Sequence, residues 1–449
     1  MKNIDRKNLK MLFERERETF TRSHPKSAKL FERARKSLLG GVPMNWMSKW
    51  PGAFPIFVAE AKGAHFTDVD GHKYVDLCLG DTGAMTGHAP AAVVESATAQ
   101  LARGITTMLP TENAIWLGEE LQRRFGLPYW QFALTATDAN RFSIRLARMA
   151  TGRPKILTFN YCYHGSVDET FATLKDGVVV PRRGNIGPPV DPALTTRVVE
   201  FNDLEGVEKA LKHRDVACVL TEPALTNVGI VHPQPGFHEG LRELTRKYGS
   251  LLIIDETHTI CEGPGGYTRA HGLKPDFFTL GKPIGSGIPS AVYGFTEEVA
   301  TLIAERIRVE ECDTGGIGGT LAGNALSLAA MRATLENVLT DAAFKKMIPM
   351  AKRFTDGVSQ VIEQVDLAWH VSQLGCRAEY LFHKNVPRNG GEAAAAADFE
   401  LERYMHLYAL NRGVLLTPFH NMALMSPATS ESDVDKHTEV FRQAVGEFN

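Results

Sequence analysis

The sequence predicts an α/β fold with a mostly parallel sheet, because short apolar runs alternate with helix-length segments beyond residue 87. Three of these runs are ACVL (217–220), LLIID (251–255) and SAVYGF (290–295). Strands that alternate with helices usually form a parallel sheet with helices on both faces. We therefore expect a large domain of this kind over residues 66–335.

A smaller α+β domain is expected to form from the two chain ends. Residues 1–40 are charged and carry apolar residues at helical spacing, which indicates an amphipathic arm that either lies on a partner surface or stays solvated. Residues 54–79 place Lys62-Gly63 and Asp70-Gly71 between apolar runs, a pattern typical of an antiparallel meander. We place the boundary of this N-terminal part at residues 1–65.

The C-terminal part of the small domain is expected over residues 336–449. Its pattern predicts a helix at 342–364, strands at 378–382 and 414–418, and a closing helix at 431–448.

The composition excludes several classes of protein. The chain has 449 residues, with 50 Lys and Arg against 52 Asp and Glu. A chain this long buries a large core without disulfides or a metal, so we expect no metal site. The near-neutral charge balance gives no electrostatic surface for nucleic acid or an anionic membrane. Neither is therefore expected as a partner.

The cysteines and the N-terminus predict a cytoplasmic protein. The six cysteines are scattered singly without a CxxC pair, which is typical of reduced, mostly buried thiols. The first 20 residues alternate in charge and lack the apolar core of a signal peptide, and no run is long enough to span a membrane.

Two residues near strand ends are candidates for catalysis. Asp255 ends the apolar run LLIID, so its carboxylate is expected at the carboxyl edge of the sheet, where α/β proteins bind ligands. It could equally cap a following helix. Lys282 lies in TLGKPIGSGIPS, where glycines permit close approach to a ligand and prolines stiffen the loop. A lone lysine is more often a solvated surface charge.

A third candidate is the start of a helix in TATDANRFSIRLARMATGR. A helix N-terminus preceded by hydroxyl groups suits a phosphate, although capping alone could explain Thr137 and Asp138. Together the three features meet the needs of pyridoxal 5′-phosphate: a lysine that forms an imine, an acid that keeps the pyridine nitrogen protonated, and a phosphate site.

The sequence resembles the class III aminotransferases, which are fold-type I enzymes that use pyridoxal phosphate, and within them the glutamate-1-semialdehyde 2,1-aminomutase-like branch. The resemblance runs from about Leu30 to the C-terminus. The motifs that carry it are LFERARKSLLGGV, DVDGHKYVDL, GHAP, TATDANRFSIRLARMATGR, CYHG, TEPALTNVG, IIDETHT, GKPIGSG and GGTLAGNALSLAA. It implies the fold-type I transferase fold, with a large cofactor-binding domain and a smaller domain built from both chain ends.

The resemblance also implies roles for individual residues. Lys282 corresponds to the imine-forming lysine and Asp255 to the partner of the pyridine nitrogen. The remaining implied cofactor contacts are Ala136 and Thr137 at the phosphate, Tyr163 stacked on the ring, Glu222 with Asn227 near it, and Thr320 at the phosphate of a neighbouring subunit. The protein is therefore expected to be at least a homodimer.

The chain departs from the family's pattern at several positions. It has Ala136-Thr137-Asp138 where relatives commonly have Gly-Thr-Glu, and a threonine follows Asp255-Glu256 where they usually have valine. The next residue is His258, for which we expect a hydrogen bond to the cofactor's phenolic oxygen.

Substrate contacts are expected from two segments. The stretch GGVPMNWMSKWPGAFP lacks the arginine that often grips a substrate carboxylate, and offers Trp46 and Trp50 instead. These tryptophans could equally be ordinary packing residues. Arg377 remains a candidate carboxylate clamp.

The function that these residues predict is amino-group transfer. An amine, ω-amino acid or β-amino acid donor would pass its amino group to a keto acid or aldehyde through a Lys282 aldimine and pyridoxamine phosphate. One alternative is an intramolecular aminomutase of the glutamate-1-semialdehyde type, which needs the same residues. A more distant alternative is a nucleotide-binding oxidoreductase or a non-catalytic α/β module, although no GxGxxG follows a strand.

Overall fold

A computed structural model of the chain describes residues 4–187, 190–306 and 316–448. In chain order its helices are α1 (Arg6–Ser23), α2 (Pro25–Ala34), α3 (Ala91–Leu101), α4 (Glu112–Phe125), α5 (Ala136–Thr151), α6 (Pro192–Thr195), α7 (Leu204–Leu211), α8 (Phe237–Tyr248), α9 (Gly266–Ala270), α10 (Glu297–Arg306), α11 (Ala325–Asn337), α12 (Asp341–Gln364), α13 (Gly390–Ala395), α14 (Phe399–Asn411) and α15 (Glu431–Gly446). Its strands are β1 (Val58–Lys62), β2 (His65–Asp68), β3 (Lys73–Asp76), β4 (Tyr129–Ala133), β5 (Lys155–Phe159), β6 (Ala172–Lys175), β7 (Val178–Pro181), β8 (Thr196–Val199), β9 (Val216–Thr221), β10 (Leu251–Asp255), β11 (Phe277–Leu280), β12 (Ala291–Phe295), β13 (His370–Leu374), β14 (Arg377–Leu381), β15 (Val414–Leu415) and β16 (Met422–Leu424).

The larger of two compact units contains Ala91–Asp341 and Pro387–Ala395. Its main sheet has seven strands in the order β4-β12-β11-β10-β9-β5-β8. The pairs from β11 to β8 are parallel, whereas β12 is antiparallel to both of its neighbours. The expectation of a mostly parallel sheet is therefore confirmed.

Helices cover both faces of this sheet, as the apolar runs predict. Ile253 of β10 packs in a buried cluster with residues of α5, while its neighbours Leu252 and Ile254 pack with residues of α7 and α8. Because successive side chains of a strand point to opposite faces, a strand buried on both faces has to be apolar throughout. This explains the unbroken run LLIID.

The second unit contains Met1–Pro90, Ala342–Val386 and Ala396–Asn449. In its first sheet, β1, β2 and β3 form the antiparallel meander that the sequence predicts, and the glycines at its two turns have φ values of 60° (Gly63) and 97° (Gly71). Strand β15 joins this sheet by pairing in parallel with β3. A second sheet has the order β13-β14-β16.

The N-terminal helix α1 packs within the second unit. It lies against α14, and its buried residues include Leu9 and Phe20. Glu16 is also buried, and its carboxylate accepts hydrogen bonds from Arg412 and Asn411 at the end of α14. The apolar face of this arm therefore covers α14 of the protein itself, which neither of the two expected arrangements describes.

The boundaries of the two units differ from the expected ones. A boundary at residue 65 would separate β1 and the start of β2 from β3, whereas all three strands lie in the second unit, which continues to Pro90. The pairing of β2 with β3 keeps residues 66–76 in this unit.

The five cysteines that the structure describes are buried and form no disulfide, as expected of reduced thiols; they are Cys78, Cys162, Cys218, Cys261 and Cys376. Cys312 lies outside the described residues. Among the helices of the described residues, none combines the length and the apolar character needed to cross a bilayer.

Candidate active site

Three predicted residues lie at the carboxyl edge of the sheet in the larger unit. Glu222 follows β9, Asp255 is the last residue of β10, and Lys282 lies two residues after β11. These strands are parallel neighbours, so their carboxyl ends meet at one edge, which is where open α/β sheets bind ligands. The structure thus brings together residues that are 60 positions apart in the sequence, from 222 to 282.

The carboxylate of Asp255 is buried and held by three donors. Its Oδ2 accepts hydrogen bonds from His164 Nδ1 at 2.9 Å and Asn140 Nδ2 at 2.8 Å, and its Oδ1 accepts one from the backbone N–H of Thr257 at 3.0 Å. Thr279 donates to Asn140 Oδ1 at 2.7 Å, which orients the amide so that its nitrogen faces Asp255. The acid is therefore rigidly placed.

The protein environment favours the ionised form of this acid. Burial alone would raise the pKa of Asp255, but the hydrogen bonds from His164, Thr257 and Asn140 outweigh it and lower the pKa to about 2. Burial would lower the pKa of His164, but nearby Cys162 and Asp255 outweigh that effect and raise it to about 10. Asp255 is thus a stable negative charge that could hold a proton on a cationic ring.

Lys282 has an unusual backbone conformation. Its φ is 48°, in the left-handed region that residues other than glycine rarely adopt and that costs of the order of 1–3 kcal/mol. The side chain is half-buried, and its Nζ contacts Nε2 of His258. The lysine is therefore held in place, contrary to the expectation for a solvated surface charge.

His258 belongs to a chain of hydrogen bonds that leads away from Lys282. Its Nδ1 lies 2.6 Å from the hydroxyl of Thr226, and that hydroxyl lies 2.5 Å from Oε2 of Glu222. Glu222 Oε1 also accepts a bond from the backbone N–H of Tyr163 at 3.4 Å. Burial raises the pKa of Glu222. The residues Lys282, His258, Thr226 and Glu222, which we call the relay, form one continuous chain.

The N-terminus of α5 is close to Lys282. Thr135 caps the helix by accepting the N–H of Asp138, and Ala136 is the first helical residue. A Cβ atom on Gly281 would lie 2.9 Å from both the backbone N and the Cβ of Ala136, so only glycine permits this approach. The positive end of the α5 dipole therefore faces the loop that carries the lysine.

The hydroxyl of Thr137 is oriented by the loop that carries CYHG. Thr137 Oγ1 accepts the N–H of Ser166 at 3.0 Å, so its own hydrogen is available for another acceptor. Gly165 has a φ of 77°, and a Cβ there would lie 2.1 Å from Thr137 Oγ1. This arrangement suits an anion with several acceptor oxygens.

The remaining predicted cofactor contacts have more varied surroundings. Tyr163 is half-buried, and its ring lies 6.5 Å from that of Phe171. Asn227 is half-buried and follows Thr226 directly, whereas Thr320 is exposed shortly before α11. The roles expected for these three residues stay predictions.

The predicted substrate residues lie in the second unit. The ring of Trp46 meets that of Phe419 edge-on at 5.1 Å, and the ammonium of Lys49 lies 5.5 Å from the Trp46 ring. Trp50 packs on a buried cluster that includes Phe20, which favours the packing role for this residue. A role for either tryptophan in substrate binding stays a prediction.

Arg377 on β14 is fully buried. Its Nη2 donates to the hydroxyl of Thr82 at 2.6 Å and lies 3.8 Å from Oδ1 of Asp81. Among the described residues, Nε and Nη1 of this guanidinium have no hydrogen-bond partner.

Sequence reasoning missed several residues of the site. Asn140, His164 and Thr226 each hold one of the predicted residues in place, and Thr279 orients Asn140. His164 is next to the predicted Tyr163, and Thr226 is four residues after Glu222. Their proximity to predicted residues was the available signal, but their partners lie up to 139 residues away.

Comparisons with known proteins agree with this site. The family described as Aminotransferase class-III matches residues 46–445. A glutamate-1-semialdehyde 2,1-aminomutase of Anaeromyxobacter dehalogenans is 32% identical, with 94% of this chain and 98% of that protein covered. The crystal structure of a glutamate-1-semialdehyde-aminomutase from Pseudomonas aeruginosa PAO1 has a TM-score of 0.96 at 52% identity and covers 99% of this chain and 100% of its own.

An omega-transaminase from Sphaerobacter thermophilus is also similar, with a TM-score of 0.85 and 28% identity, and covers 95% of this chain and 99% of its own. The fold and the site thus define a fold-type I enzyme that uses pyridoxal phosphate. The chain belongs to the class III aminotransferase family. A lysine-to-alanine variant of the Pseudomonas protein was solved in complex with PMP, the amino form of this cofactor.

The residues of this chain fit pyridoxal phosphate. Asp255 is a buried anion at the strand edge, and the α5 N-terminus lies beside Gly281, where a side chain would obstruct it. The N–H of Ala136 and the hydroxyl of Thr137 would donate hydrogen bonds to the phosphate. Asp255 would bind the ring nitrogen, and Lys282 would bind the reactive carbon.

Proposed function

We propose that this chain catalyses the exchange of an amino group and a carbonyl group within one substrate, as an aminomutase of the glutamate-1-semialdehyde type. The observation that carries the proposed chemistry is the placement of Lys282 beside His258, at the strand edge where Asp255 ends β10. The similarity to proteins named as aminomutases over nearly the whole chain favours the intramolecular reaction.

Bound pyridoxal phosphate supplies an electron sink for the electron pair left when a substrate carbon loses its proton. Asp255, kept ionised by its three donors, would hold the proton on the ring nitrogen. Lys282 Nζ would take the proton from the carbon that carries the amino group and deliver one to the carbon that receives the amino group, so that the proton count of the substrate is unchanged. The α5 N-terminus would bind the phosphate and fix the distance to Lys282.

A second candidate is transfer of the amino group between two molecules, from an amine, ω-amino acid or β-amino acid to a keto acid or aldehyde. The observation that favours it is the composition of residues 40–55, which contain no arginine for a substrate carboxylate and offer Trp46 instead. The similarity to an omega-transaminase is consistent with this reaction. The family match gives no support to a nucleotide-binding oxidoreductase.

In both candidates we propose that Arg377 binds a substrate carboxylate. Nε and Nη1 of this buried guanidinium have no hydrogen-bond partner among the described residues, so its positive charge and an N–H donor are left for a carboxylate.

We also propose that the enzyme is at least a homodimer. Within the larger unit, Met108 and Leu109 are 76% and 73% exposed, and Leu101, Ile105 and Ile115 are exposed near them in sequence. Ile105 O accepts the N–H of Ala325 at 2.9 Å, so this apolar segment lies beside the start of α11, shortly after Thr320. A second copy covering the segment would bring Thr320 to the interface.

The deciding experiment supplies the purified holoenzyme with glutamate-1-semialdehyde alone and follows conversion to the isomer whose amino group has moved from carbon 2 to carbon 1. A matched reaction supplies amines, ω-amino acids or β-amino acids with and without a keto acid. Isomer formation without an added acceptor supports the aminomutase. Turnover only when donor and acceptor are both present would instead establish the transferase, and no turnover in Lys282→Ala is expected in either case.

A further inference from the structure

The relay connects the amine of Lys282 to a buried acid through two groups that each donate and accept a hydrogen bond. Histidine has two ring nitrogens, and threonine has one hydroxyl, so each can pass a proton by taking one on one side and releasing one on the other. The contacts are continuous from Lys282 Nζ to His258 Nε2, from His258 Nδ1 to Thr226 Oγ1, and from Thr226 Oγ1 to Glu222 Oε2.

We infer that His258 and Thr226 move a proton between Lys282 and Glu222, so that the lysine becomes a neutral amine without releasing a proton to solvent. This inference rests on the proposed role of Lys282 and deepens it. It assigns Thr226 and Glu222 as positioning residues that act through His258.

Two arrangements of hydrogens satisfy every contact of the relay. In the first, Lys282 is an ammonium that donates to His258 Nε2, His258 Nδ1–H donates to Thr226, and the Thr226 hydroxyl donates to the Glu222 carboxylate. In the second, all three hydrogen bonds are reversed: the Glu222 carboxylic acid donates to Thr226, Thr226 to His258 Nδ1, and His258 Nε2–H to a neutral Lys282.

The two arrangements differ by three concerted proton shifts and by no other atom. Lys282 loses a proton to Nε2, the Nδ1 proton passes to Thr226 Oγ1, and the Thr226 proton passes to Glu222. The positive charge on Lys282 and the negative charge on Glu222 disappear together, so no net charge enters the site. Burial of Glu222 favours the second arrangement because it penalises the carboxylate.

Other titratable groups face Glu222. Asp255 acts with burial to raise the pKa of Glu222, whereas His164 opposes this effect. Because the hydrogen bond of His164 to Asp255 at 2.9 Å binds those two charges to each other, the net field at Glu222 is smaller than that of either group. The charge on Lys282 can therefore decide which of the two hydrogen arrangements of the relay is populated.

The test measures how fast cofactor-free enzyme recaptures pyridoxal phosphate, followed through the visible absorption of the bound cofactor between about pH 6 and pH 9. This reaction needs the neutral amine of Lys282. Proton transfer from Lys282 to Glu222 keeps the total number of protons on these two residues constant. The fraction of enzyme in which the transfer has occurred therefore does not depend on pH within that window. We compare wild type with Thr226→Val, which keeps the side chain's shape and removes the hydroxyl.

In Thr226→Val the relay is interrupted, so the proton has to leave to solvent, and release of one proton to solvent becomes about tenfold more favourable for each unit of rising pH. We expect the ratio of the wild-type rate to the variant rate to fall about tenfold for each unit of rising pH. Titration of the cofactor itself cancels in this ratio. Thr226→Ser should restore the wild-type profile, since it keeps the hydroxyl.

The matched control is Thr245→Val, which removes an equally buried hydroxyl that donates to a backbone carbonyl on α8. The recapture rate of Thr245→Val should depend on pH in the same way as that of the wild type. A ratio for Thr226→Val that does not change with pH overturns the relay and leaves the proposed function intact. Recapture with the same visible absorption by Lys282→Ala overturns the proposed function and the relay with it.

Discussion

The amide nitrogen of Asn140 lies 2.8 Å from Oδ2 of Asp255, although 115 residues separate the two along the chain. The helix α5 therefore contributes to the site twice, since its first turn faces the Lys282 loop and its second turn holds the acid. In the proposed function, this one helix would couple binding of the phosphate to binding of the ring nitrogen.

Replacing Asn140 should weaken cofactor binding. Asn140→Leu removes one of the three donors to a buried carboxylate, and a hydrogen bond to a charged group contributes about 1.5–3 kcal/mol. We expect roughly ten- to hundredfold weaker binding of pyridoxal phosphate, measured by titrating cofactor-free enzyme. The control Asn337→Leu, at the exposed end of α11, should bind as the wild type does. Equal affinities in the two variants would contradict this role.

The acid should also contribute to stability in a defined pH range. The pKa of Asp255 falls from 3.8 to about 2 on folding, so its ionised form stabilises the protein above about pH 4, and this contribution is lost as the pH falls towards 2. The difference in melting temperature between cofactor-free wild type and Asp255→Asn should therefore narrow below about pH 4. The exposed Asp168→Asn should show no such trend, and a gap that stays constant would count against the prediction.

Gly281 should be essential for the approach of α5 to the lysine. Gly281→Ala places a Cβ 2.9 Å from a backbone nitrogen that cannot move without the helix, and overpacking of this kind costs about 1–3 kcal/mol. We expect lower cofactor affinity and a lower melting temperature. Gly263→Ala is the matched control, because a Cβ there meets no atom within 4 Å. Wild-type cofactor affinity in Gly281→Ala would show that the close approach is not needed.

Much of this architecture is predictable from the sequence. Apolar runs identify β9, β10 and β12, and glycines mark the turns of the meander, because these features depend on local periodicity and backbone conformation. Asp255 stands out because it ends such a run, and Lys282 stands out because glycines and prolines surround it. The antiparallel direction of β12 and the contacts of Asn140 and Thr226 could not be predicted, since they depend on how segments distant in sequence pack together. His258 was identified, but its contact with Lys282 was not.

The proposed carboxylate clamp makes a selective prediction. Arg377→Met should raise KM about ten- to hundredfold for a substrate with a carboxylate, because charge-assisted hydrogen bonds of about 1.5–3 kcal/mol are lost. Amines without a carboxylate should be unaffected. For a substrate with a carboxylate, Arg377→Lys should give a KM between those of the wild type and Arg377→Met, because lysine keeps the positive charge but not the planar guanidinium. An equal rise in KM for substrates with and without a carboxylate would indicate a structural role for Arg377.

The proposed dimer can be tested at its apolar segment. Met108→Glu combined with Leu109→Glu should convert the protein to monomers, because burying each of these side chains contributes about 1.5–3 kcal/mol and a buried glutamate is unfavourable. Light scattering after size-exclusion chromatography measures the mass. Leu39→Glu changes a side chain that is 98% exposed in the second unit and should leave the mass unchanged. A monomeric wild type would overturn the proposal.

The pairing of Val75 with Val414 has a consequence for synthesis of the chain. A ribosome adds about 5–20 residues per second, so β3 waits roughly 20–70 s for β15 to emerge. During this interval residues 91–341, which are most of the larger unit, can begin to fold, while the meander presents an unpaired strand edge that invites pairing with other chains. Nascent chains should therefore depend on chaperones until the last residues are made, and C-terminal truncation should cause aggregation of a protein whose catalytic sheet is complete.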